Sequence, residues 1–171
     1  MVRVTSPAPS LALPWDEPVP VVASAATALA ANTAYFVRAR RESLPRLITN
    51  IEVYTGTSSG NLDVALFSLS GTTLTLLSSS GSTASSATNG WQAIPLLAPQ
   101  WKLPGGDYFY AVSPDNATVT LGRVAGTANA NLRGFMAALK SAQFPFASNA
   151  SPSLDTSTLT STASAVVVRG T

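Results

Sequence analysis

The chain predicts an all-β fold: an antiparallel β-sandwich or jelly roll carrying an extended N-terminal arm. Three observations carry that expectation. Between Leu47 and Arg123, short runs alternate apolar and polar side chains, the period of two that strands with one buried face require. Clusters of Gly, Ser, Asn and Pro punctuate these runs at short intervals, as hairpin-linked sandwiches need. One stretch, Leu103-Pro-Gly-Gly-Asp-Tyr-Phe-Tyr-Ala-Val112, joins both signals in ten residues. Pro104 sets one backbone angle, Gly105 and Gly106 admit a positive φ, and the aromatic and β-branched residues that follow suit a pleated surface.

Taken in order, residues 1–33 read as the arm and 34–171 as the sandwich. Pro7, Pro9, Pro14, Pro18 and Pro20 recur too often for a helix or a central strand and favour an extended, polyproline-like path. Leu11, Leu13, Trp15, Val19 and Val21 make that path apolar. The arm is therefore expected to lie on protein surface, either its own domain or a neighbouring chain.

Ala34–Arg40 then places Tyr35, Val37 and Ala39 on one face and Phe36, Arg38 and Arg40 on the other. Arg46–Thr55 is the longest alternation, and residues 56–60 turn the chain. In Asn61–Ser68, Leu62, Val64 and Leu66 point inward and Asp63 outward, and Gly71 marks a hairpin into Thr72–Leu77. Residues 78–90 read as a low-complexity loop, mobile or adaptable by composition. Trp91–Leu97, Asp107–Ser113 and Ala117–Arg123 complete the central strands. Farther on, Leu132, Phe135, Met136 and Leu139 fall at helical spacing and predict a short helix ending at Lys140. Gln143–Ser161 is expected to be an irregular connection packed against a partner, and Thr162–Arg169 a closing strand.

Inventory excludes much chemistry. The 171 residues contain no Cys and no His, which removes disulfides, zinc-thiolate and His-metal sites, Cys nucleophiles and the Ser-His-Asp triad. Charged residues are 11% of the chain and the net charge is +2, so the surface is mostly small and neutral, suited to lying against other proteins. No run approaches a membrane span. Val21–Ala31 follows Asp16 and Glu17 rather than a basic stretch and is not read as a secretion signal.

Candidate sites are few. Glu52 and Asp63 form the best carboxylate pair, expected on neighbouring strands and on one polar face; acid–base hydrolysis needs two such groups facing each other. Asp115 with Asn116, and Asp63 with Asn61, are thin calcium candidates whose simpler reading is turn capping. Arg38, Arg40, Arg41 and Arg46 form a basic cluster that suits ionic contacts better than phosphate binding, because no aromatic ladder interleaves them. Trp91, Trp101 and Tyr54 are candidates for a sugar-stacking platform, weighed against the core or interface role that most aromatics fill. No catalytic residue, cofactor or metal is assigned.

Four stretches taken together resemble β-sandwich modules of tailed-bacteriophage virion proteins. They are Ala31-Asn-Thr-Ala-Tyr-Phe-Val-Arg38, the run from Thr49 to Phe67 that ends in Asp-Val-Ala-Leu-Phe, Leu103–Val112, and Phe144-Pro-Phe146. Such modules occur in minor tail, fibre, head-fibre and capsid-decorating proteins. The resemblance spans about residues 30 to 169, and its motifs also occur in carbohydrate-binding jelly rolls. It implies a non-enzymatic, commonly homo-oligomeric virion component that docks on capsid or tail proteins through its loops and its arm, with Leu11, Leu13, Trp15, Val19 and Val21 as the partner-binding residues. The small net charge and the lack of a long apolar run add the expectations of no nucleic-acid partner and no membrane span. The alternative that the resemblance leaves open is a module that binds host-surface carbohydrate.

Overall fold

The computed structural model describes residues 24–39, 41–125, 137–146, 153–161 and 164–171. Its strands are β1 (Ser24–Ala28), β2 (Ala34–Arg38), β3 (Arg46–Thr57), β4 (Asn61–Ser70), β5 (Thr73–Ser79), β6 (Thr83–Ala84) and β7 (Gly90–Lys102). They continue with β8 (Asp107–Pro114), β9 (Thr120–Ala125), β10 (Ala137–Lys140), β11 (Ser153–Asp155), β12 (Thr160–Ser161), β13 (Ser164–Val166) and β14 (Val168–Gly170).

Two antiparallel sheets result, and the protein is the expected β-sandwich. The first runs β1-β9-β3-β14, with β7 also paired to β3 and β13 to β9; the second runs β11-β5-β4-β8-β2-β10-β12, with β6 on β4. Strand β1 lies inside the stretch read as arm, aligning Thr27 with Leu121 of β9. The arm residues Leu11, Leu13, Trp15, Val19 and Val21 lie outside the described residues.

The period of two explains the main core. Ile48, Ile51, Val53, Ile94 and Leu121 of the first sheet meet Val37, Leu62, Val64, Leu66, Tyr110 and Val112 of the second, all buried. Two buried tyrosine hydroxyls reach backbone donors: Leu103 donates to Tyr108 Oη at 2.9 Å and Ala30 to Tyr35 Oη at 2.9 Å. Buried phenols need such partners, so both rings sit with their tips at the rim.

The second sheet is buried on its other face as well. Phe36, Ala65, Phe67, Phe109 and Ala111 point away from the sandwich and pack beneath Phe146 and Leu154. The Phe36, Phe67 and Phe146 rings meet edge to face, with centroids 5.3–6.5 Å apart. Phe146 and Leu154, from the stretch expected to be an irregular connection packed against a partner, thus cover their own sheet. Burying both faces of β4 also overturns the outward placement of Asp63, whose side chain is fully buried.

Two further expectations change. The helix over Leu132–Lys140 is not formed across its last turn: Ala137–Lys140 is β10, paired with β2, and Leu132, Phe135 and Met136 lie outside the described residues. Pairing with the free edge of β2 outweighs a weak helical period that contains Gly134. The 78–90 loop is also tied down. Ser78, Ser79 and Ser80 are buried, β6 pairs with Asn61 and Leu62, and the Gln92 amide accepts from Ser86 N–H at 3.0 Å and donates to Ala84 C=O at 2.7 Å.

The closing strand does more than extend an edge. β9 and β3 pair near Thr55 and Leu121, then diverge, and the C-terminal segment fills the gap between them. Val167 donates to Gly122 C=O at 2.9 Å and accepts from Tyr54 N–H at 3.2 Å. The turn at Pro104 forms as expected, with Gly105 at φ +74.

Candidate docking surface

The outer face of the first sheet carries the exposed chemistry. Cross-strand partners share a face. Leu47 with Trp101, Glu52 with Ala93, and Tyr54 with Trp91 therefore point outward opposite the buried Ile48, Ile51 and Val53.

At one end of the β3–β7 ladder lies an apolar strip. Among the described residues the exposed large hydrophobic side chains are Leu44, Leu47, Leu97, Trp101 and Leu103, with Leu97 73% and Trp101 56% exposed. All five fall in two stretches, 44–47 and 97–103, that β3 and β7 bring side by side. The strip borders β7, which among the described residues pairs on one side only and carries Pro95 and Pro99. Prolines without N–H donors blunt such an edge against indiscriminate strand pairing, leaving side chains rather than backbone as its means of attachment.

Ion pairs lie at the neighbouring strand ends, at β2 and β8 of the second sheet as well as β3 and β7. Asp107 accepts from Arg38 Nη2 at 2.5 Å and from Arg41 Nη2 and Nε at 2.6 and 2.8 Å. These two guanidinium groups hold its carboxyl far below the ordinary range. Lys102 is wholly buried, with Nζ 3.0 Å from Glu42 Oε1, 3.4 Å from Tyr110 Oη and 5.4 Å from that ring's centre. Arg46 lies 3.7 Å from Glu42 and donates to Gly170 C=O at 2.8 Å. The basic cluster thus resolves into ionic contacts, with Arg40 outside the described residues.

The three aromatic candidates are divided. Tyr54 and Trp91 stand edge to face at 5.8 Å on the outer sheet face, and Gly122 beneath Tyr54 leaves the room a Cβ would take. Arg169 lies over Trp91 at 4.5 Å while bonding Glu52, so a charged group fills one indole face. Trp91 and Trp101 face Tyr54 and Leu47, seven residues apart on β3, so strand rise separates them by about 23 Å. Trp101 belongs to the apolar strip.

The carboxylate pair is also divided. Glu52 is on β3 of the first sheet and paired with Arg169; Asp63 is on β4 of the second. This corrects the neighbouring-strand reading. Asp63 accepts from Phe146 N–H at 2.7 Å and Ser80 Oγ–H at 3.1 Å, and burial pushes its carboxyl above the usual range. Asp115 is ringed by donors instead of other metal ligands: Asn61 N–H at 2.9 Å, Asn61 Nδ2 at 2.8 Å and Asn116 Nδ2 at 2.9 Å. That is the loop-fastening role. Among the described residues no cluster of three or more acidic side chains converges as a metal site.

Sequence reasoning missed the apolar strip and the buried Lys102. The alternation in Leu97-Ala-Pro-Gln-Trp101 was a signal for the first, but its outward parity appears only once β7 is paired. Compared with protein-family models, curated proteins and solved structures, the chain matches none.

Proposed function

We propose that this chain is a non-enzymatic structural component of a tailed-phage virion, a β-sandwich that docks on capsid or tail proteins and is held there by shape. The observation that carries this reading is the apolar strip Leu44, Leu47, Leu97, Trp101 and Leu103, gathered at one end of a sheet edge on an otherwise small, neutral surface. Contiguous exposed apolar side chains mark interaction surfaces, and burying a few hundred Å2 contributes several kcal/mol at ~25 cal/mol per Å2 before entropic losses. Repetition over a symmetric particle multiplies a modest contact into firm attachment. The separation of Glu52 from Asp63 and their engagement with other groups favour this reading over hydrolysis. Retention of a tagged chain on purified particles tests it: Leu47→Ser with Trp101→Ser should lose retention while keeping the fold, and undiminished retention would place docking elsewhere.

The Tyr54–Trp91 pair, with Arg169 and Glu52 beside it, favours a second reading as a host-carbohydrate-binding module. A glycan array read with wild type and a folded Trp91→Ala variant separates the two. Sugar binding lost in the variant would support the carbohydrate module and overturn the structural one.

A further inference from the structure

We propose that Asp63 and Ser113 form a proton-operated latch: in the folded chain the Asp63 carboxyl donates a proton to Ser113 Oγ while accepting the Phe146 N–H, and loss of that proton to solvent frees Phe146 from the outer face of the second sheet. This inference concerns the free chain and does not rest on the virion reading.

Position argues for it first. Asp63 of β4 and Ser113 of β8 pair directly across the ladder, so their side chains share one face with Cβ atoms about 4.5–5.5 Å apart. Both are wholly buried there. Ser113 Oγ has no hydrogen-bond partner, although a buried hydroxyl normally has one. An ionised carboxylate only accepts, whereas a protonated one carries an O–H that the lone pairs of this hydroxyl can take up.

The neighbouring groups leave Ser113 as the free acceptor. Asp63 accepts from Phe146 N–H at 2.7 Å and from Ser80 Oγ–H at 3.1 Å. Ser80 Oγ is already committed: it accepts from Val64 N–H at 3.0 Å, and its single hydrogen is shared between Asp63 and Gly81 C=O at 2.9 Å. Among the described residues, the charged groups on this face and on the elements packed against it are engaged elsewhere. Arg38 and Arg41 hold Asp107, Lys140 Nζ donates to Thr158 Oγ1, Asp155 accepts from Ser157 N–H, and Asp115 accepts from Asn61 and Asn116. Burial accordingly pushes the Asp63 carboxyl above its usual range, against the hydrogen bonds from Phe146, Ser80 and Gly81.

The latch holds an apolar cover. The Phe146 ring meets Phe36 and Phe67 edge to face, at 6.5 and 5.7 Å between centroids, and its backbone N–H is the group that Asp63 grips. The hold is complete below the ordinary carboxylate range and is lost as pH rises through the elevated value, because the charged form pays for its burial. Opening bares Phe36 and Phe67.

Nuclear magnetic resonance on the full-length chain tests this, with the Asp63 carboxyl carbon followed through a pH titration and amide exchange read at Phe146 and at Tyr54 of the first sheet. Asp63 should titrate above the ordinary carboxylate range, and Ser113→Ala should lower the midpoint, because the protonated form loses its acceptor. An unchanged midpoint would overturn the assignment, and so would a raised one, which would mean that Ser113 donates to the charged form. Above the midpoint the protection factor of Phe146 should fall by up to about tenfold per pH unit, the linkage of one proton, while that of Tyr54 holds. Asp63→Asn, whose amide keeps an acceptor and gains a permanent donor, should keep Phe146 protection level over the same range. Protection at Phe146 that stays level in wild type, falls equally in Asp63→Asn, or falls in step with Tyr54 would overturn the latch.

Discussion

The backbone N–H of Phe146 donates to the buried carboxylate of Asp63 across 2.7 Å, joining the connection that covers the second sheet to the middle of β4. Desolvation raises the pKa of Asp63, and hydrogen bonds from Phe146 and Ser80 oppose the rise. In the folded chain it holds a proton more tightly than in the unfolded chain. That stabilisation is complete below the ordinary carboxylate range and is lost as pH rises through the elevated pKa. Urea unfolding of wild type from acid to neutral pH should therefore contain a falling component that Asp63→Asn lacks. Parallel pH profiles for the two would contradict the assignment.

Removing the acceptor altogether should be costly. Asp63→Ala leaves the Phe146 donor buried without a partner, a loss of about 1–3 kcal/mol. Phe146→Ala opens a cavity against Phe36 and Phe67 and should cost about 3–5 kcal/mol. Chemical denaturation reads both. A Phe146→Ala variant as stable as wild type would mean that the outer aromatic cluster contributes little.

The ion pair at the rim predicts the opposite acid response. Asp107 is held far below its ordinary pKa by Arg41 and Arg38, so its contribution is present above the usual carboxylate range and fades as pH falls through the lowered value. Asp107→Asn should remove an acid-sensitive component from the stability profile. Its size should be small, because Arg41 is largely exposed and solvent screens the pair.

Lys102 and Glu42 predict an asymmetry between two substitutions. Glu42→Gln leaves the Lys102 ammonium buried without its carboxylate and should destabilise by about 3–5 kcal/mol. The double change Lys102→Met with Glu42→Leu, which replaces both charges of the pair with apolar side chains, should be near neutral or stabilising. Equal losses from both, measured by thermal unfolding, would show that the pair's attraction dominates over desolvation.

Much of the architecture was readable in the string of residues. Alternation placed β3, β4, β5 and β8 and separated Tyr108, Tyr110 and Val112 from Phe109, because side chains that alternate in sequence must alternate across a pleated sheet. The turn at Gly105 and the hairpin at Gly71 followed from residues able to take positive φ.

Three-dimensional pairing settled the remainder. Local pattern separates two faces of a strand but carries no information on whether the second face is covered, so Asp63 read as solvated until Phe146, eighty-three residues later, closed over it. The helical period before Lys140 yielded to the open edge of β2, and Trp101 parted from Trp91 because strand length sets them at opposite ends of β7. Fold class follows from short-range periodicity. The site follows from which distant segments meet, since burial, charge pairing and apolar exposure are properties of neighbours that the chain brings together only on folding.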